Sequence, residues 1–409
     1  MSKVLIIGGG ASGMMAAAHA AKNGHNVEVF EKNEKLGKKL FITGKGRCNV
    51  TNNCETEDLF HAVMRNPKFL YSSFYAYGPQ DVMHFFEEAG IRLKTERGNR
   101  VFPVSDHSSD IIRGLTDTMK KCGVKIHLNT EVKELIIENS QVNGIILTDD
   151  TSVYGDYVFI ATGGISYPST GSTGDGYRWA AAMGLKIVEP MPSLVPFYTK
   201  ESYISKMQGL SLRNVALKIK DGKKVLYDDF GEMMFTHFGV TGPLVLSASA
   251  KIGDKLKKKE LNAFIDLKPA LTEEQLEARI LREFQSGLNK QLKNVISVLY
   301  PSSLTPVLLE LTGIDPEKPI HEISKQERRK IIELTKAFPF TITELGEFRE
   351  AIITKGGVSV KEIDPGTMEA KNIKGLHFIG EVLDLDAVTG GFNLQIAWST
   401  AYMAASAIK

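Results

Sequence analysis

Short apolar runs and one helical stretch alternate at the start of the chain. Lys3 to Ile7 reads as a buried strand, Gly13 to Asn23 carries apolar residues at helical spacing, and Val27 to Phe30 is a second short run that stops at Glu31. Strand, helix and strand in that order make a βαβ unit, whose parallel strands need helical cover on both faces. The region is therefore predicted to be a three-layer, Rossmann-like α/β domain. Tyr157 to Ala161 and Gly375 to Ile379 are further short apolar strands, ending near Gly163 and Gly380, so their loops should meet at one sheet edge. Between them the pattern changes. Val215 to Lys220 and Lys223 to Tyr227 flank Asp221-Gly222, a two-residue signal for a tight hairpin. Thr272-x-x-Gln275 resembles a capping box and opens a helix with Leu276, Ile280 and Phe284 on one face; Ser324-x-x-Glu327 does the same before Ile331 and Ile332. No apolar run approaches the ~20 residues that span a bilayer. Gly8, Gly9 and Gly10 interrupt the early apolar stretch, which argues against a secretory signal.

A length of 409 residues suits two or three units with separate cores, and 43% hydrophobic with 24% charged residues excludes a mainly disordered chain. Cys48, Cys54 and Cys122 form neither an even disulfide set nor a C-x-x-C pair, so a reducing cytoplasm is expected, with no metal and no membrane partner. Pro190, Pro192 and Pro196 mark an exit from the first domain, and Phe338-Pro339-Phe340 marks a return. The predicted division is 1–192 with 341–409 for the first domain and 193–340 for an insert. The net charge of +2 carries little information, but Ser193 to Phe340 holds 23 basic against 18 acidic residues and the remainder 27 against 30. The insert is the basic part, with Lys255 to Lys259 and Arg328-Arg329-Lys330 as its densest runs.

Gly8-x-Gly10-x-x-Gly13 lies between strand and helix, where glycines permit a tight turn and close approach of a pyrophosphate to the helix N-terminus. Glu31, at the end of the second strand, is placed to accept ribose hydroxyls. Gly37 and the run Gly44-Lys45-Gly46-Arg47-Cys48-Asn49 then supply small, cationic and amide residues suited to a diphosphate and a polar heterocycle edge. Ala161-Thr162-Gly163 at one strand end lets backbone touch a ligand. Gly380-Glu381 at another could hold ribitol, and Gly390-Gly391-Phe392-Asn393 opens a last helix whose N-terminus would face negative charge. No second Gly-x-Gly-x-x-Gly follows, so no dedicated nicotinamide domain is expected.

These segments, with Met234-Phe235-Thr236-His237-Phe238-Gly239 and Gly380 through Gln395, resemble the BaiN/RdsA-type flavoproteins over essentially the whole chain. The resemblance implies a glutathione-reductase-like FAD domain interrupted by a β-barrel with a small helical unit. FAD would be bound noncovalently, with NAD(P)H as a transient reductant. It further implies that Gly8, Gly10, Ala11, Ser12 and Gly13 hold the pyrophosphate, Glu31 the adenosine ribose and Val132 the adenine region through its backbone, with Lys32 also among the cofactor-binding residues. Arg47, Cys48 and Asn49 would lie near the flavin. Asp175, in a Gly-Asp-Gly turn, would approach the cofactor, and Gly391, Phe392 and Asn393 would offer amides to the flavin N1 and O2 edge. Members of this family are linked to saturating ring C=C bonds, including uridine in large-subunit ribosomal RNA.

Such a reduction needs a proton donor as well as a hydride source. Cys48, whose thiol Arg47 and a helix dipole could acidify, is one candidate and His237 the other, each weighed against a purely structural role. Three classes of function stay open: reduction of uridine in ribosomal RNA bound by the basic insert, reduction of a small cyclic enone, quinone or steroid, and a non-catalytic, flavin-dependent RNA-binding or assembly factor.

Overall fold

The computed structural model describes residues 1–256 and 258–409. Two compact units emerge, Met1–Ser193 with Phe348–Lys409 and Leu194–Glu347. Phe338-Pro339-Phe340 is not the point of return. It lies in the strand Phe338–Leu345, which pairs with Leu261–Asp266 on one side and Phe197–Thr199 on the other, so the second unit keeps the chain until that strand is complete.

The first unit is built on a five-stranded parallel sheet in the spatial order Leu376–Phe378, Tyr157–Ile160, Lys3–Ile7, Asn26–Phe30 and Lys125–His127. Val4 to Ile7 and Val158 to Ile160 are buried along their whole length, as expected of strands covered on both faces. Helix Ala11–Lys22 packs on the C-terminal helix Phe392–Ala407. Ala16, Ala17, Ala18 and Ala20 on the former and Ala401, Ala404 and Ala405 on the latter are all buried, small enough for the two backbones to approach closely. A three-stranded meander, Val132–Glu138, Gln141–Leu147 and Ser152–Tyr154, connects the last two strands before the insert. The chain leaves through Ile187–Ser193 and returns through Ile353–Val358, which pair antiparallel. A small sheet joins Thr51–Asn52, Arg100–Pro103 and Leu93–Glu96.

The second unit holds a closed six-stranded barrel in the order Phe197–Thr199, Gly239–Thr241, Lys224–Phe235, Ser211–Asp221, Leu261–Asp266 and Phe338–Leu345. The long hairpin forms with a shifted turn: Asp221 pairs with Lys224, leaving Gly222 and Lys223 as the loop, with the positive φ of 58° on Gly222. Helices Glu273–Gln285, Leu292–Ile296, Leu304–Thr312 and Lys325–Lys336 follow. Both capping boxes form in full, Thr272 with Gln275 and Ser324 with Glu327, each satisfying two otherwise orphaned amides.

Candidate flavin site

The glycines of the first turn are not equivalent in their surroundings. A Cβ on Gly8 would lie 2.5 Å from the Ala161 carbonyl oxygen, and one on Gly13 would lie 1.9 Å from the Gly8 oxygen. These two are required by the packing of strand on helix. Gly10, with φ of −83°, would meet nothing within 4 Å. The chain's own atoms do not demand a glycine there, whereas a ligand lying against the backbone would. Helix Ala11–Lys22 has neither a side-chain cap nor an acidic residue in its first turn, so its leading amides are available to an anion.

Glu31 is buried and aimed back across this turn. Its Oε2 accepts the Gly9 amide at 2.7 Å, and its Oε1 accepts the backbone and side-chain nitrogens of Asn33 at 2.8 and 2.6 Å. Oε2 thus keeps a lone pair for a ribose hydroxyl. The Thr130 amide donates to the Glu31 carbonyl, which brings Val132 to within two residues of the same place. Lys32 and Asp175 meet: the Lys32 ammonium donates to Asp175 Oδ2 at 2.8 Å and to Thr173 Oγ1 at 2.5 Å. Burial alone would raise the Asp175 carboxyl, but the bonds from Lys32 and Thr173 hold it below the ordinary carboxylate range. Gly37 starts a short helix in the left-handed region (φ 68°) against Ile112, so local packing accounts for it.

At the opposite end the glycine loops converge. Gly380 has φ of 74°, and its Cβ would be 2.6 Å from Ser12 Oγ, so the strand end bearing Glu381 abuts the first helix. The Glu381 carboxylate accepts the Lys39 ammonium at 2.9 and 2.8 Å, the Ser166 hydroxyl at 3.1 Å and the Thr354 amide at 2.8 Å. Lys39, Ser166 and Thr354 are partners that no spacing in the sequence pointed to, because each arrives from a different loop. Gly391 caps the last helix with φ of 98°, its Cβ position 2.5 Å from the Thr51 backbone. That helix also lacks a side-chain cap and a first-turn acid. The Asn393 side chain accepts the Ala387 amide at 2.9 Å and donates to the Ala387 carbonyl at 2.8 Å. The side chain fixes the approaching loop, leaving the Phe392 and Asn393 amides at the helix start.

Gly44, Lys45, Gly46 and Cys48 all have positive φ, a compact loop whose Gly46 Cβ would meet nothing within 4 Å. Arg47 does not tune Cys48. Its guanidinium binds Glu96 at 2.5 Å and Asp106 at 2.6 Å and lies 4.1 Å from the centre of the Phe102 ring. Cys48 is 0% exposed, and burial pushes its thiol up to about 12 despite a bond involving Thr43. His237 is exposed on the barrel turn of the second unit, edge-on to Phe238 at 5.0 Å. In the insert, Lys259 pairs with Asp221, and Arg329 with Glu273 and Glu333; Lys257 lies outside the described residues. A buried polar group that sequence reasoning missed surrounds Asp386: Ser193 Oγ donates to it at 3.4 Å, Arg65 binds Asp384 at 3.2 Å, and Lys355 is buried nearby.

Asn49 Oδ1 and Thr162 Oγ1 are buried without a hydrogen-bond partner, a costly state that a bound polar group relieves. Together with the open space at Gly10 and Gly46 and the two uncapped helix starts, they fit FAD extended from the first turn to the last helix. Fold and site define a flavin-dependent oxidoreductase built on a dinucleotide-binding sheet. The chain belongs to the family described as HI0933-like protein Rossmann domain, whose model matches residues 2–407. Among curated proteins it is 32% identical to the 3-dehydro-bile acid delta(4,6)-reductase of Clostridium scindens, covering 100% of this chain and 99% of that one. It is 33% identical to the ribosomal RNA dihydrouridine synthase of Haemophilus influenzae, covering 100% and 98%. Among solved structures, the 3-ketosteroid delta1-dehydrogenase of Sterolibacterium denitrificans aligns with a TM-score of 0.54 at 14% identity over 99% of this chain and 98% of that one, a likeness of fold. Among the described residues no helix is long and apolar enough to cross a membrane.

Proposed function

We propose that this protein reduces a ring C=C bond, that its substrate is uridine in large-subunit ribosomal RNA, and that NAD(P)H is the reductant. The observation that carries the reaction type is that two full-length relatives with unlike substrates, a bile acid and an RNA, both bear the names of ring-reducing enzymes. Bound FAD would supply the hydride. The chain's own contribution is placement and charge. Amides of Ala11 to Gly13 would hold the pyrophosphate and Glu31 the adenosine ribose, and the buried Asn49 and Thr162 oxygens would find partners on the polar cofactor. The uncapped start of helix Phe392–Ala407 offers partial positive charge that would stabilise an anionic reduced flavin.

RNA is preferred to a steroid because two relatives matched over nearly their whole length, at 33% and 28% identity, bear the name ribosomal RNA dihydrouridine synthase. The bile-acid relative supports a second reading, reduction of a small cyclic enone. Nucleoside mass spectrometry of ribosomal RNA from cells lacking this protein separates the two. Loss of a dihydrouridine, restored by the wild-type protein, is the expected result. Unchanged nucleosides, with flavin-dependent turnover of a steroid enone by the purified protein, would establish the second reading instead.

A further inference from the structure

Ring reduction needs a proton for the carbon that the hydride does not reach, and a Cys48 thiol raised to about 12 is a poor source of one. The first unit holds a polar cluster that the cofactor contacts leave unused. Asp384, Asp386 and Lys355 are all buried, where a charge without a partner is costly. Ser193 Oγ donates to Asp386 Oδ2 at 3.4 Å, Arg65 binds Asp384 Oδ1 at 3.2 Å, and the Asn66 side-chain amide donates to Asp384 Oδ2 at 3.1 Å. The charges of Lys355 and Arg65 act on the Asp386 carboxyl, and that of Asp384 opposes them. Asp386 Oδ1 is buried with no hydrogen-bond partner, which costs less on a neutral acid than on an ionised carboxylate. Arg65 is half-buried and Asn66 exposed, so the cluster meets solvent on that side.

Short ties hold the cluster against the groups that would face the flavin. Lys355 follows Thr354, whose amide donates to Glu381 at 2.8 Å and whose hydroxyl accepts the Ile165 and Ser166 amides at 2.9 and 3.0 Å. Asp386 precedes Ala387, whose amide and carbonyl are both bound by the Asn393 side chain at the start of the last helix. The Asp384 amide donates to the Val358 carbonyl at 2.8 Å and the Met64 amide to the Asp386 carbonyl at 2.7 Å, which fixes the segment on two sides.

Resting on the ring-reduction reading above, we propose that Asp386, flanked by Lys355 and Arg65, stores the proton that accompanies reduction of the bound flavin and releases it for the ring. Solvent on the Arg65 side supplies the proton, which forms an O–H bond on the carboxylate. When the hydride and its electron pair reach the ring, the C=C pair becomes the second C–H bond by taking that proton, and the carboxylate is left for the next cycle. Burial already raises the carboxyl to about 6, so one negative charge added nearby loads it at pH 7. Asp386 is thus a positioning residue for a proton, with no need to touch the cofactor.

The test counts protons. In the FAD-loaded protein, the flavin is reduced electrochemically between pH 6 and pH 8, and the pH dependence of its midpoint potential gives the protons taken up per two electrons. Wild type should take up to about one proton more than Asp386→Asn, which has no carboxyl to load. Lys355→Met is the second variant: without that cation the acid stays protonated in both states, so its count should also fall. FAD retention should stay at the wild-type level in both, and dihydrouridine formation in a deletion strain should drop about a hundredfold or more. Equal proton counts in wild type and both variants overturn the proposal, whatever ring is reduced. Lost turnover that follows lost FAD, with the count per bound flavin unchanged, makes the cluster structural and also overturns it. Wild-type protein that restores no dihydrouridine and turns over no steroid enone removes the ring-reduction reading, and the release step with it.

Discussion

At the scale of single residues, burial decides what titratable groups can do. The Cys48 thiol, raised to about 12, stays protonated throughout the neutral range and is held in a left-handed backbone position among core side chains. Its placement fits packing beneath the cofactor loop. Cys48→Ser should keep turnover within a few-fold of wild type and lose about 1 to 3 kcal/mol of stability from burying a hydroxyl. A hundredfold loss of turnover with flavin retained would make the thiol the proton donor. Asp386 is the converse case. It is fully buried, and burial outweighs Lys355, Arg65 and the Ser193 bond to raise its carboxyl from 3.8 to about 6. The folded state thus holds this proton more tightly than the unfolded chain, and the stability it contributes is full below about pH 4 and lost as pH rises to about 6 and above. Asp386→Asn should therefore gain on wild type between pH 4 and pH 7, by about 3 kcal/mol at most. Denaturant titration of both proteins across that range reads the difference, and a flat difference would mean that Asp386 titrates as an ordinary carboxylate.

At the scale of elements, the first turn separates what the fold needs from what the ligand needs. Gly13→Ala drives a methyl into the Gly8 carbonyl and should destabilise even the apoprotein, by about 1 to 3 kcal/mol. Gly10→Ala meets no protein atom, so it should leave apoprotein melting unchanged and weaken FAD about tenfold or more, equivalent to ~1.4 kcal/mol. Calorimetric melting of apoprotein with FAD titration distinguishes them, and equal FAD affinity for Gly10→Ala would move the pyrophosphate elsewhere. The spacing of the glycines was legible in the sequence, and so were both capping boxes, because each depends on residues three or four apart. The division of labour between Gly10 and Gly13 was not, since it depends on Ala161 and the open space opposite the turn.

At the scale of the whole molecule, hydrophobic period, turn residues and capping signals are local, and they were enough to place the parallel-strand domain, the hairpin and the helical run from sequence. The two segments of the first unit and the barrel's last strand were harder to delimit. Phe338-Pro339-Phe340 looks like a linker locally, yet its strand is needed to close the barrel, and closure depends on pairing with residues more than a hundred positions earlier. The site divides in the same way. The glycine turns and Glu31 announce a dinucleotide, because a backbone that must approach a ligand constrains residue type at fixed spacing. The Lys39–Glu381 pair and the Asp386 cluster carry no such spacing. Charge counting along the sequence drew attention to the insert, whereas Arg329 and Lys259 there are joined to carboxylates. Sequence by itself determined the strand–turn–helix elements of a dinucleotide-binding fold, which are written in short contiguous motifs. Only the tertiary structure decided which polar groups face one another around them, because ion pairing and burial depend on distance in space between segments that meet only after folding.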